Sequence, residues 1–257
     1  MCYYIYRKEV KQMKKTVLIT GASKGLGASI AKIFAQNNHN IILNYNNSEE
    51  EALKLTEELK QYNVEILPVK ADITKEEDIK NMVDVSINKF KKIDILINNA
   101  GIAIDTIIED KTKENFIKTL DTNLIGPFLL SKYVGKYMLK EKQGNIINIS
   151  STNGIDTYYE YSLDYDASKS GLISLTHNLA NHYAPYIRVN CIAPGWINTE
   201  MNKNLDEEYK KEEENKILLN RFANPEEIAK VVYFLSTEDA SYINNEIIRV
   251  DGGTRHA

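Results

Sequence analysis

Tyr165 and Lys169 stand four residues apart in the pentapeptide YDASK, a spacing that puts a phenol and an ammonium on one face of a helix. A free tyrosine titrates at about pH 10, and a cation held beside it favours the phenolate. Such a pair could pass a proton to and from a bound oxygen near neutral pH. Tyr4 and Lys8 repeat the spacing in the same chain, so the pair alone proves little. Its weight comes from four further motifs: TGASKGLG at 20–27, NNAG at 98–101, NISS at 148–151 and APG at 193–195. Together they point to an oxidoreductase.

Gly21, Gly25 and Gly27 directly follow the apolar run TVLIT and open a helix-like segment. Glycines at such a turn let the backbone approach a pyrophosphate, while the helix N-terminus offers free N–H groups and positive potential. The pattern here is G-x-x-x-G-x-G rather than the commoner G-x-G-x-x-G. A tight strand-to-helix turn without a ligand is the plain alternative for a glycine cluster met alone.

The elements that must position these residues alternate along the whole chain. Strand-like runs lie at 16–20, 40–45, 64–69, 93–98, 145–150, 187–193 and 246–250. Helix-like stretches fill 25–37, 75–90, 113–140, 164–184 and 225–236, with another expected after Ser48 as an N-cap followed by three glutamates. Asn224-Pro225-Glu226-Glu227 reads as a helix start. This alternation predicts an α/β fold: one doubly wound parallel sheet of about seven strands with helices on both faces. The Lys/Glu-rich segment 203–216 breaks the rhythm and reads either as a solvated helix or as a lid at the carboxyl edge of the sheet.

A chain of 257 residues suits a single α/β domain, placed here at 14–257. Residues 1–13 are read as an extension outside it, with Met13 as a candidate translation start. The formal net charge of −4 gives no electrostatic reason to expect nucleic acid. Cys2 and Cys191 are too few for a disulfide framework, and Cys191 reads as a small buried thiol. His39, His177, His182 and His256 show no metal-ligand spacing, so no metal is expected. There is no run of about 18 apolar residues for a membrane span, and the first residues lack the pattern of a secretory signal. A cytoplasmic location is therefore expected.

The motifs TGASKGLG, NNAG, NISS, YDASK, APGWINTEM, PEEIA and VDGG, with Asp72 in ADI and Asn123 in DTNL, resemble the short-chain dehydrogenase/reductase family over residues 14–253. That resemblance implies a Rossmann-type fold, a nicotinamide cofactor and a homotetramer or homodimer. It also implies a catalytic tetrad. Tyr165 would donate the proton to a carbonyl oxygen, and Lys169 would hold the ribose and keep the tyrosine pKa low. Ser151 would hydrogen-bond the carbonyl, and Asn123 would hold a relay water. Ser150 is the rival for the serine role, with strand-end packing as its other reading.

For the cofactor, the resemblance implies contacts from Gly21, Ser23, Lys24, Gly25, Leu26 and Gly27, and from Asn46, Asp72 and Ile73. Asp72 is expected at the adenine amino group and Asn98, Asn99, Ala100 and Gly101 along the adenosine side. Pro194, Gly195, Ile197 and Thr199 are expected beside the carboxamide. The second strand ends in Tyr45, Asn46 and Asn47, with no acid to repel a 2′-phosphate, and Lys24 could meet one. NADP(H) is therefore the expected cofactor, with NAD(H) as the other option.

The overall pattern is most similar to 3-oxoacyl-acyl-carrier-protein reductases, which makes a ketone or 3-oxoacyl thioester the expected substrate. Two departures bear on it. The loop before Tyr165 carries Tyr158, Tyr159 and Tyr161, a bulky candidate substrate wall, with Trp196 either covering the nicotinamide or packing under the lid. The helix after Lys169 offers Asn181 and His182 where a basic residue would help dock an acidic carrier. A sugar or polyol dehydrogenase is the alternative enzyme, and a non-catalytic nucleotide-binding protein the alternative class.

Overall fold

The computed structural model describes residues 14–254 apart from Thr157 and Asn204, so the expected extension at 1–13 lies outside the described residues. Seven strands form one sheet: β1 (Thr16–Ile19), β2 (Asn40–Tyr45), β3 (Ile66–Lys70), β4 (Ile95–Asn98), β5 (Gly144–Ile149), β6 (Ile187–Pro194) and β7 (Ile247–Val250). Every pairing is parallel, in the order β3-β2-β1-β4-β5-β6-β7. Ile19 aligns with Leu43 on one side and Ile97 on the other, which fixes the register at the centre.

Side chains along a strand alternate between faces, and both faces here are covered, so the central strands are apolar throughout. Val17, Ile19, Ile41 and Leu43 join one core with Ile30 and Phe34 of α1 (Gly25–Gln36) and Val232 of α8 (Pro225–Ser236). Leu18, Ile42, Leu96 and Ile146 join the other. Its helical partners include Met82 of α3 (Glu76–Phe90), Leu130 of α5 (Gly126–Glu141) and Leu179 of α6 (Leu163–Tyr183). α2 (Glu49–Leu59) completes the first half of the chain.

Two local expectations change, and a third region takes one of its two readings. Ser48 takes the N-cap position of α2 but makes no side-chain cap bond, leaving Glu49, Glu50 and Glu51 to answer the helix dipole. The stretch 113–140 is not one helix: α4 (Lys113–Leu120) passes through a π-turn at Asp121–Ile125 before α5 begins. The segment 203–216 contains α7 (Glu207–Lys216), a helix with no buried residue, capped by Asp206 accepting from the Glu208 and Tyr209 N–H groups at 2.9 and 3.2 Å. Among the described residues, no helix is long and apolar enough to cross a membrane.

The strand order reverses between β1 and β4. In open parallel sheets the crevice at the carboxyl ends of such a pair is where ligands bind.

Candidate active site

Thr20 follows β1, and the chain turns through Gly21 into α1. Gly21 has φ +61°, and a Cβ there would sit 3.0 Å from the Ala100 Cα. On Gly27 a Cβ would overlap the Gly21 carbonyl oxygen and lie 2.8 Å from Asn99 Nδ2. Only glycine fits this fold of backbone. The α1 N-terminus has Lys24 at the N-cap with no side-chain cap and no acid in the first turn, so its N–H groups stay available to an anion.

Polar side chains hold the turn in place. Asn99 Nδ2 donates to the carbonyls of Thr20 (2.9 Å) and Gly21 (3.3 Å), and the Thr20 hydroxyl accepts from the N–H groups of Asn99 and Ala100 at 3.0 Å. Asn44 Oδ1 accepts from the Gly21 N–H at 3.3 Å while its amide donates to Ala71 at 3.0 Å. Thr20 and Asn44 were not singled out in the sequence. A polar residue inside the buried strand NIILNY was the available signal for Asn44. Asn98 turns the other way: its amide is buried on Ser131 and Asn148, at 3.2 and 2.8 Å, so its side chain is not part of an adenosine wall.

The remaining cofactor candidates lie in α1, in its preceding turn, at the end of β6 and on the segments that follow β2, β3 and β6. Lys24 and Asn46 are exposed, Ser23 and Leu26 half-buried, and Ile73 buried with its carbonyl against Gly126. The Asp72 carboxylate accepts from the Thr74 N–H and hydroxyl at 3.0 and 2.8 Å, which fixes it in a local turn. Thr199 lies across from Gly25, its methyl 3.6 Å from where a Gly25 Cβ would be. Pro194 ends β6, Gly195 packs on Asp251, and Ile197 bridges to Ala223.

The proposed tetrad converges on the edge of the sheet beside Gly101. A Cβ on Gly101 would be 3.3 Å from Asn123 Oδ1 and 3.4 Å from Lys169 Nζ. Lys169 is buried and donates to the Ile149 carbonyl at 2.8 Å, and its Nζ stands 5.4 Å from the centre of the Tyr165 ring. The Ser151 hydroxyl is near enough to Tyr165 to act on its phenol and meets Asn153 at 3.2 Å. Ser150 instead donates to the Lys169 carbonyl at 2.9 Å from a buried position, the strand-end packing role. Asn123 sits on the π-turn, with its amide on the Ile102 carbonyl (2.9 Å) and Ser168 hydroxyl (3.0 Å) and its Oδ1 accepting from the Ile102 N–H (2.9 Å). These contacts commit the Asn123 amide to protein partners.

Burial pushes the Tyr165 phenol up to about 12, with the Ser151 hydrogen bond opposing. Burial brings the Lys169 ammonium down to about 8. The expected lowering of the tyrosine by the lysine is therefore not found. Desolvation is the largest effect on the phenol, and the ammonium lies over the ring, 5.4 Å from its centre. Cys191, fully buried below, has its thiol raised to about 11 by the same desolvation.

An aromatic roof joins the segment after β6 and the loop before Tyr165 to α7. Trp196 stacks on Phe222 (5.2 Å, 10°), meets the Tyr209 ring edge-on at 6.4 Å, and donates from Nε1 to Glu213 at 3.0 Å. It therefore packs under α7. Tyr159 meets Tyr161 edge-on at 5.2 Å and is hydrogen-bonded to Tyr209. Tyr158 is 83% exposed and forms no part of a wall. Asp166 holds the loop beneath them, accepting from Asn153 (2.7 Å), Ser162 (2.8 Å) and the Tyr159 N–H (3.3 Å). Nothing in the Lys/Glu-rich sequence marked Tyr209, whereas Asp166 stood inside the YDASK motif itself.

A family model described as enoyl-(acyl carrier protein) reductase matches residues 21–255. The 3-oxoacyl-[acyl-carrier-protein] reductase FabG of Staphylococcus epidermidis is 36% identical over 242 residues, covering 94% of this chain and 99% of its own. Its namesake from Staphylococcus aureus strain Mu50 is 35% identical over 243 residues, covering 94% and 98%. Among solved structures, acetoin dehydrogenase YohF from Salmonella typhimurium superposes with a TM-score of 0.86 at 28% identity, covering 94% and 96%. A dehydrogenase/reductase from Sinorhizobium meliloti 1021 gives 0.89 at 28% identity, covering 94% and 95%.

Proposed function

The chain belongs to the short-chain dehydrogenase/reductase family, and we propose that it is an NADP(H)-dependent reductase of ketones, including 3-oxoacyl thioesters. What carries this assignment is the grouping of Ser151, Tyr165 and Lys169, with Lys169 against Gly101, together with a glycine turn whose α1 N–H groups have no side-chain cap. The similarity to two 3-oxoacyl-[acyl-carrier-protein] reductases supports the substrate class.

A bound nicotinamide cofactor supplies the hydride. Gly21, Gly25 and Gly27 and the α1 N-terminus would hold its phosphates, and Lys169 its ribose. The chain's own part is to orient the carbonyl and to move a proton. Ser151 donates a hydrogen bond to the carbonyl oxygen, stabilising the negative charge that develops there. Tyr165 Oη then gives that oxygen its proton. At neutral pH the phenol is protonated, the form that gives a proton to the carbonyl oxygen. Asn123 positions the Gly101–Ile102 backbone and, through Ser168, the first turns of α6.

Preference for NADP(H) is supported by the exposed Asn46 after β2 and by Lys24 at the α1 N-cap. Glu200, held low first by Lys203 and more distantly by Lys24, shares the lysine's field, so discrimination is expected to be moderate. The test is oxidation of NADPH and NADH, followed optically, with an acetoacetyl thioester, a bulky diketone and keto sugars. Thioester turnover faster with NADPH is expected. Turnover confined to polyol oxidation, or no turnover despite tight NADPH binding, would overturn the assignment.

A further inference from the structure

Directly below the proton donor lies a buried ion pair that the proposed chemistry does not use. Lys111, at the end of the loop preceding α4, is 5% exposed, and Asp164, in the first turn of α6 and next to Tyr165, is 0% exposed. Their Nζ and Oδ1 stand 2.8 Å apart. The ammonium has three protons, and the structure supplies three acceptors: Asp164, the Ile104 carbonyl and, at 3.3 Å, the Tyr161 carbonyl. The other carboxylate oxygen accepts from the Thr119 hydroxyl of α4 at 2.6 Å. Burial alone would raise Asp164, but the Lys111 and Thr119 hydrogen bonds hold it below the usual carboxylate range.

Burying a charge pair is costly unless it is completely satisfied, and replacing one by apolar residues often leaves stability unharmed. Here the satisfied pair ties together four separate pieces of chain. These are the loop bearing Asp105, the loop bearing Tyr159 and Tyr161, helix α4, and the turn that carries Tyr165. A further main-chain bond, Thr106 N–H to the Tyr161 carbonyl at 3.0 Å, joins the two loops at the same point. One of the four carries Tyr165 itself, and Asp105 on another acts electrostatically on the Tyr165 phenol.

We propose that Lys111 is a positioning residue: through Asp164 and the carbonyls of Ile104 and Tyr161 it sets the Tyr165 turn and the substrate-facing loops in one arrangement. The proposal rests on Tyr165 being the proton donor. Proton transfer depends on sub-ångström placement, so loosening this anchor acts on turnover rather than on cofactor binding, whose glycine turn lies on other elements.

Three variants test it: Thr119→Val, which removes one neutral hydrogen bond; Lys111→Met; and the double Lys111→Met/Asp164→Asn. For each, kcat and KM are measured on a ketone that the wild type reduces, Kd for NADPH by fluorescence, Tm, and amide hydrogen exchange. Thr119→Val is expected to fold, to bind NADPH within twofold of wild type, and to lose about tenfold in kcat. Exchange should rise in 104–106 and 159–166 only. Lys111→Met should lose Tm and more of kcat. The double variant should regain most of the Tm with kcat still low. If kcat recovers along with Tm, or if Thr119→Val keeps wild-type kcat and exchange, the positioning role is overturned. A wild type that reduces no ketone, with the exchange pattern as expected, would overturn the proton-donor assignment and leave the anchor standing.

Discussion

At the scale of single residues, Tyr165 and Lys169 are held in opposite senses by the same burial, one kept protonated and the other pressed to release its proton. Tyr165→Phe should lower kcat by about 10²- to 10⁴-fold while NADPH affinity, read by fluorescence titration, stays within a few-fold. Lys169→Met should abolish turnover and weaken NADPH binding, yet raise the Tm at pH 7, because it removes a buried cation. The sign is fixed by linkage. The folded-state pKa of about 8 lies below the ordinary 10.5, so between these values the unfolded chain binds the proton that the folded chain has given up. Wild-type stability from this group therefore rises with pH across that window, and the advantage of Lys169→Met should shrink there. Thermal melts of both proteins from pH 7 to 10 check this. The motifs made these residues legible because their types and spacing are local. The direction of the Tyr165 shift was not legible, since it depends on how much protein closes over the ring.

Among the elements, the strand–turn–helix at residues 16–36 is the most tightly specified. Gly27→Ala should force the turn open against the Gly21 carbonyl and Asn99. Overpacking of roughly 1–3 kcal/mol corresponds to NADPH binding about 10- to 100-fold weaker, measured by titration. The seven strands were readable from their apolar runs because both sheet faces are covered. The π-turn at Asp121–Ile125 was not, since the apolar pattern of 113–140 runs through it without a break. What it does is specific to Asn123, placing that amide against Ile102 and Ser168. In the aromatic roof Tyr209 escaped for another reason. Trp196, Tyr209 and Tyr159 are distant in sequence, and only the packing of α7 joins them.

For the whole molecule, α4, the π-turn and α5 present Ile117, Ile125 and Phe128 to solvent, each more than 40% exposed. Such a face suits a second copy of the chain, as the family resemblance implied. Sedimentation velocity should show a dimer or tetramer, and Phe128→Glu should shift it toward monomer; a monomeric wild type would refute this. The sheet order carries a different consequence. Each strand pairs with its neighbour in sequence except at one seam, where β1 meets β4. The glycine turn and Asp72 belong to the half before that seam, and Asn123, Ser151, Tyr165 and Lys169 to the half after it. Neither half holds a working site. During synthesis the first half can form its three strands early, but the catalytic pocket comes into being only when the second half docks along the β1 edge. Folding to completion is thus a condition for any chemistry, and a stalled or truncated chain has none.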